Sequence, residues 1–404
     1  MHRFKYSLVA IALAAAVFMS YCKRPNVAAG VDTEKKVLTI GYLDAITGPA
    51  AAIGKPYAHG KEILAKQVNA GGSGLLPEGW KIEMVSRDHG YNPQKSVEMY
   101  KEIKDKVLFI GTSFGTPNTL PLRPLLAQDS MMAFPASLSG AMAENAFTPP
   151  LATSYELEAM RGLDWAVEQA GGADKVKAGI VYQNDDYGKD GLKGWKQAAG
   201  KLGVEIVSEQ SAAPGQKDFI AVITQLKKAG ATHVLLSVLP SGTGPVLGTA
   251  LQAEYKPIWI GNTPAWVDAF FNPKVVPSAV FANYYQVMSL PYWGEDVPGM
   301  DKFLAAFKAH GSQNPDFYIL LSYVQGLVQL KAFNIALEKG DTSRQGYKAA
   351  LQSLENETLG GIVKEGVTLT KVPYVTGTES RVLQPDFDKQ SWKVVADYAK
   401  PSSL

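Results

Sequence analysis

The stretch Gly111-Thr112-Ser113-Phe114-Gly115 matches G-x-S-x-G, the strand-to-helix turn that exposes a nucleophilic serine in α/β hydrolases. It follows the apolar run 107–111 (VLFIG), which reads as a strand. A nucleophile at Ser113 needs a helix to begin at once behind it, and an acid and then a histidine downstream. A helix could start at Pro117, but Pro117, Pro121 and Pro124 leave at best a short one. The downstream histidines are His233, inside the strand-like THVLLSVL, and His310, at a helix end. Hydrolysis at Ser113 is therefore the least favoured reading, and no catalytic residue is assigned.

Other chemistry is sparse. His2, His59 and His89 share no i, i+4 spacing with one another or with carboxylates, and the Asp185-Asp186 pair reads as solvated loop residues. No G-x-G-x-x-G follows the first strand and no Walker pattern occurs, so neither a metal nor a nucleotide cofactor is expected. A formal charge of +2 over 404 residues, with basic pairs no longer than Lys35-Lys36 and Lys227-Lys228, argues against nucleic acid as a partner. What remains are hydroxyl-rich loops at strand ends. The loop 111–116 carries Thr112, Ser113 and Thr116, and 135–139 carries Ser137 and Ser139; such loops suit a polar ligand group without catalysis.

These loops need elements to position them. Eight β-rich runs (37–43, 81–88, 107–111, 132–137, 176–183, 204–210, 232–239 and 257–262) alternate with helical patterns at 56–70, 93–106, 154–170, 188–202 and 218–229. Apolar strands each followed by a helix imply parallel sheets covered on both faces. Two βα arrays, near 37–150 and 175–282, precede a helical region, 298–354, and a short β-like tail. With 46% hydrophobic and 19% charged residues, the chain can bury two cores.

The N-terminus reads as an export signal. Met-His-Arg-Phe-Lys supplies a positive region and residues 7–20 an apolar core too short for a comfortable membrane span. Two endings stay open: cleavage after Val27-Ala28-Ala29, giving a signal peptide of 1–29, or a lipoprotein signal of 1–21 ahead of Cys22. Cys22 is the single cysteine, so no intramolecular disulfide can form.

The order of motifs resembles the periplasmic leucine/isoleucine/valine-binding proteins, the type I solute receptors of ABC transporters. The similarity rests on ITGPAAAIGKPYAHGKEILAKQVNAGG (46–72), DHGYNPQKSVEMYKEI (88–103), GTSFGTPNTLP (111–121) and FPASLSG (134–140). It continues in VYQNDDYGKDGLKGW (181–195), GQKDFIAVITQLKKAGATHVLL (215–236) and PDFYILLSYVQGLVQLKAFNIAL (315–337). The resemblance implies an α/β fold of two Rossmann-like lobes with parallel sheets, joined by a multi-strand hinge and closing on a ligand without altering it. It implies lobe 1 over 36–153 plus 284–360 and lobe 2 over 154–283 plus 361–395.

By position, the resemblance puts Ile53, Phe114, Gly115, Thr116, Ala136, Ser137, Leu138, Tyr187, Leu239, Thr263 and Trp266 around the ligand. Thr116 matches the residue that holds an amino acid's carboxylate. Leu138 and Thr263 stand where the family holds the α-ammonium with a threonine and a glutamate, and Ile53 replaces an aromatic. A desolvated ammonium needs strong acceptors, which Leu138 and Thr263 do not supply. The expected ligand is therefore apolar or aromatic rather than a standard α-amino acid. The expected partner is an ABC permease in the membrane, the location periplasmic, with an anchor if Cys22 is acylated, and the chain a monomer. The alternative is a carrier or sensor for hydrophobic ligands on the same scaffold.

Overall fold

The apolar runs build two separate sheets in a computed structural model that describes residues 26–311 and 314–404; the export signal and Cys22 lie outside the described residues. The strands are β1 (Asn26–Val27), β2 (Val31–Asp32), β3 (Val37–Asp44), β4 (Lys81–Asp88), β5 (Ile110–Phe114), β6 (Ala133–Ala136) and β7 (Lys177–Gln183). They continue as β8 (Glu205–Ala212), β9 (His233–Ser237), β10 (Ile258–Gly261), β11 (Tyr284–Met288), β12 (Asp341–Thr342), β13 (Ser380–Asp386) and β14 (Ser391–Ala399). In the first sheet β3 pairs in parallel with both β4 and β5, and β5 with β6. The second sheet runs β14-β13-β11-β10-β9-β7-β8, antiparallel only where β13 meets β11 and β14. β5 and β9 are buried along their whole length, as expected for parallel strands covered on both faces.

Local signals set several helix starts. Asn92 accepts from Lys95 N–H at 3.0 Å, Ser154 from Leu157 N–H at 3.2 Å, and Asp185 from Gly188 N–H at 3.1 Å, each satisfying a donor of the first turn. Helices Tyr155–Ala170 and Asp186–Leu202 cross at Gly194, where a Cβ would stand 2.0 Å from Glu156 O. The helix expected at 56–70 is Ala51–Ala70, five residues longer than expected, with Pro56 inside it. Burial of Ile53 and Tyr57 outweighs the lost backbone hydrogen bond. Among the described residues one helix, Phe317–Glu338, is long and apolar enough to cross a membrane, but it packs against Ala51–Ala70 as a core helix.

The chain crosses between the sheets three times. Thr153 Oγ1 donates to Glu379 O and Thr376 Oγ1 to Ala152 O, both at 3.0 Å, so the first and last crossings run side by side.

The expected boundaries need correction at three places. β11 lies between β10 and β13, so residues 284–288 belong to the second sheet, not to lobe 1. In the segment 361–375, Leu369 N–H donates to Leu354 O and Tyr374 N–H to Ala143 O, which ties it to the first lobe. The β-like tail is a hairpin that reaches Ala399, beyond the expected end of lobe 2 at 395. At the N-terminus, β1 ladders with β12 and Ala28 N–H donates to Thr342 O at 3.3 Å. A signal ending at Ala29 would remove that ladder, whereas one ending at residue 21 would keep it.

Candidate functional site

Every parallel strand delivers its following loop to the same side, and these loops from the two sheets face each other. Between them is a cavity. Its walls follow the carboxyl ends of strands, the position where open α/β sheets bind ligands. From the first lobe come Ile53, Tyr91, Phe114, Gly115, Thr116, Pro135, Ala136, Ser137 and Leu138; from the second come Tyr187, Leu239, Thr263 and Pro264. Tyr57, the crossing residues Leu151 and Tyr155, and Tyr318, Leu321 and Gln325 of the core helix complete it.

Ten of the eleven residues picked out in the sequence therefore line this cavity, and Trp266 does not. Its ring is 1% exposed and packs in an aromatic cluster, with centroids 4.6 Å from Trp392, 4.9 Å from Phe271 and 5.1 Å from Phe281. The turn Thr263–Ala265 aims Thr263 at the cavity and sends Trp266 into the core behind it. Sequence reasoning missed four tyrosines, Tyr57, Tyr91, Tyr155 and Tyr318, and also Gln325 as lining residues. Tyr155 and Tyr318 sit at helix starts that were legible, but their direction was not.

Ser113 is not part of the cavity wall. It is fully buried, and its Oγ lies 2.8 Å from Thr119 Oγ1. The G-x-S-x-G stretch is the end of β5 followed by Gly115, which leads into the short helix Thr116–Thr119, and its useful residue is this second glycine. Gly115 has φ +91°, and a Cβ there would lie 2.7 Å from the Tyr91 ring.

No charged side chain lines the cavity among the described residues. Four phenols are committed to protein acceptors. Tyr57 donates to Gln325 Oε1 at 2.9 Å, Tyr187 to Asn262 Oδ1 at 2.7 Å, Tyr318 to Thr263 O at 2.8 Å and Tyr91 to Asp185 Oδ2 at 3.1 Å. Their rings therefore serve as apolar walls, and burial raises all four phenol pKa values. The hydroxyls of Thr116 and Ser137 lie 2.7 Å apart, Ser139 N–H donates to Ser137 Oγ at 3.2 Å, and the Tyr155 phenol adjoins Ser137 and the Leu138 N–H. Behind the opposite wall, Glu158 accepts from Thr263 N–H at 2.9 Å and meets its Oγ1 at 2.5 Å.

Two carboxylates bridge the lobes beside the cavity. Asp185 receives Tyr91 Oη–H from the first lobe and Gln183 Nε2–H, at 2.5 Å, from its own. Asp190 accepts from Ser139 Oγ–H at 3.0 Å and Gly140 N–H at 3.3 Å across the cleft, and from Glu156 N–H at 3.2 Å. Burial raises both acids, Asp190 to about 6. The reading of Asp185 as a solvated loop residue is thus corrected: it caps a helix and closes a cleft. No group of three or more potential metal ligands occurs among the described residues.

Residues 37–367 match the model of a family described as periplasmic binding protein. The chain belongs to that family. Periplasmic binding proteins are exported solute receptors of ABC transport, so binding of a small molecule is this chain's function at that level. A Leu/Ile/Val-binding protein homolog of Brucella melitensis is 29% identical over 203 residues, 49% of this chain and 53% of that protein. The leucine-, isoleucine-, valine-, threonine- and alanine-binding protein of Pseudomonas aeruginosa is 24% identical over 87% of this chain and 88% of its own length. Among solved structures, the fatty acid ABC transporter substrate-binding protein of Thermomonospora curvata is 24% identical and superposes with a TM-score of 0.84. That match covers 94% of this chain and 95% of the other, and it establishes the two-lobed periplasmic-binding-protein fold.

Proposed function

We propose that this periplasmic binding protein captures a small, largely apolar or aromatic molecule bearing an oxygen acceptor, not a standard α-amino acid, and delivers it to a membrane ABC permease. The observation that carries this reading is the absence of any charged side chain from the cavity wall among the described residues. An α-ammonium sealed there would lose its hydration without an ionic partner, a cost of several kcal/mol; a carboxylate incurs the same kind of cost and must recover it from hydrogen-bond donors. An oxygen acceptor fares better. Thr116, Ser137 and Tyr155 place three hydroxyls in a row with two links between them, which leaves one O–H to donate to the ligand.

The bodies that close are 26–153 with 289–376, and 154–288 with 379–404. Both cavity walls come from one chain, so a monomer suffices. The fatty acid named for the Thermomonospora structure is a ligand of this class; the amino acids named for the Pseudomonas relative are not. A thermal-shift screen decides between them, with octanoate and benzoate set against leucine and valine. A ligand at 100 times its Kd stabilises the protein by about 2.7 kcal/mol. Stabilisation by the acids alone is the expected result; stabilisation by leucine or valine alone overturns the reading.

A further inference from the structure

Glu158 stands one turn along its helix from Tyr155 and is fully buried behind Thr263. Its Oε2 accepts Thr263 N–H at 2.9 Å, and its Oε1 lies 2.5 Å from Thr263 Oγ1. Thr263 lines the cavity; Glu158 does not. No lysine, arginine or histidine forms an ion pair with Glu158 among the described residues. The groups that face it are the neutral Thr263 from the turn after β10, the Tyr155 phenol on its own helix, and the like-charged Asp190 from helix Asp186–Leu202. A carboxylate desolvated in this way, with no cation near, is held neutral; burial pushes its pKa up to about 8.

A neutral acid has one O–H to give. Oε2 already accepts the Thr263 amide, which leaves Oε1, 2.5 Å from Thr263 Oγ1, to carry the proton of the neutral acid; a carboxylic O–H is the stronger donor of the two hydroxyls, so in the neutral state it gives this contact to Thr263 Oγ1. With that contact made, the hydroxyl hydrogen of Thr263 has no acceptor left on Glu158 and turns towards the cavity. If Glu158 were ionised, the same hydroxyl would donate backwards and offer the cavity only lone pairs.

We propose that Glu158 is a positioning residue that makes Thr263 a hydrogen-bond donor at the second-lobe wall, so the ligand presents an oxygen acceptor there as well as at Thr116. This rests on the proposed reading of the cavity and narrows it: the ligand is an apolar body with a carboxylate at one end and a carbonyl, ether or hydroxyl oxygen at the other.

The test uses para-substituted benzoates of similar shape and different chemistry: 4-acetylbenzoate, 4-isopropylbenzoate and 4-(aminomethyl)benzoate. Calorimetry with the wild-type protein at pH 7 should show 4-acetylbenzoate bound roughly tenfold more tightly than 4-isopropylbenzoate. In Glu158→Leu that preference should fall to about threefold or less, because Thr263 loses its orienting partner. Glu158→Gln imitates the neutral acid and should change the pH profile instead. The neutral form exists below the raised pKa, so the wild-type preference should fade above pH ~8, while that of Glu158→Gln stays level. An equal preference in wild type and Glu158→Leu overturns the inference. So does 4-(aminomethyl)benzoate or leucine that binds the wild type and loses tenfold or more in Glu158→Gln, which would make Glu158 a charged counter-ion. Infrared difference spectra of ligand-free wild type minus Glu158→Gln separate this inference from the reading it rests on. A protonated-carboxyl band at pH 7 with no acid bound would sink the cavity reading alone. A missing band sinks the neutral acid whatever binds.

Discussion

Replacing Tyr91 with Phe tests whether the lobes are held shut by protein contacts as well as by the ligand. The substitution keeps the ring in the cavity wall and removes one hydroxyl, which donates to Asp185 Oδ2 at 3.1 Å from the opposite lobe. A hydrogen bond to an ionised group contributes about 1.5–3 kcal/mol. Asp185 keeps two other donors, Gln183 Nε2–H at 2.5 Å and Gly188 N–H at 3.1 Å, so the lower end applies. In the open form both partners face water and the change costs nothing. A loss of about 1.5 kcal/mol on the closed side is roughly a tenfold rise in Kd. It should appear in the dissociation rate, because the contact forms only after the ligand is enclosed. Calorimetry and stopped-flow release with whichever acid the thermal screen identifies give both numbers. A Kd within twofold of wild type, with an unchanged dissociation rate, would refute the idea that Tyr91 and Asp185 clasp the lobes.

Three further outcomes follow from the packing and the charges. Asp190 has a pKa raised by burial to about 6 in the closed form, so closure takes up protons and is favoured as pH falls. Affinity should rise about fourfold from pH 7.5 to 5.5, and Asp190→Asn should flatten that slope in a calorimetric titration. Trp266→Ala should lower stability by about 3–5 kcal/mol in urea unfolding, since the indole fills a core rather than the cavity. Lys61→Met should cost about 3–5 kcal/mol in the same assay. The Lys61–Asp44 pair is buried, with side-chain exposures of 5% and 6%, and removing one partner strands the other.

Much of the fold was legible because its signals are local. The run at 81–88 is the strand Lys81–Asp88, and Ser154 and Pro93 mark helix starts within a residue of their observed places. The order of these elements already implied two parallel sheets. The run 107–111 was displaced: the strand is Ile110–Phe114, because pairing with β3 and β6 decides which part of a continuous apolar stretch is laddered. The tail 361–399 escaped for a similar reason. Tyr374 is held by Ala143 and Ala146 on one lobe, while β13 pairs with β11 on the other, and neither partner is near in sequence.

At the cavity the division is sharper. Residues directly after a strand, such as Thr116 and Ser137, could be placed from the sequence because a strand's end dictates where its loop emerges, and Leu138 was placed by the family resemblance. Thr263 and Trp266 lie three residues apart after β10, and only the turn between them decides that one faces the cavity and the other the core. The GTSFG stretch has the letters of a nucleophile turn, but the contact of Ser113 with Thr119 withdraws its hydroxyl from any substrate. Glu158 carried no local signal at all. A glutamate in the first turn of a helix is ordinary, and its chemistry arises from being sealed behind Thr263 with no cation beside it. The pattern along the chain determined which elements form and where their loops come out, since backbone periodicity and capping act over a few residues. Which side chains share a dielectric, a proton or a ligand was decided only when distant segments packed together, because burial and charge pairing have no meaning within one segment.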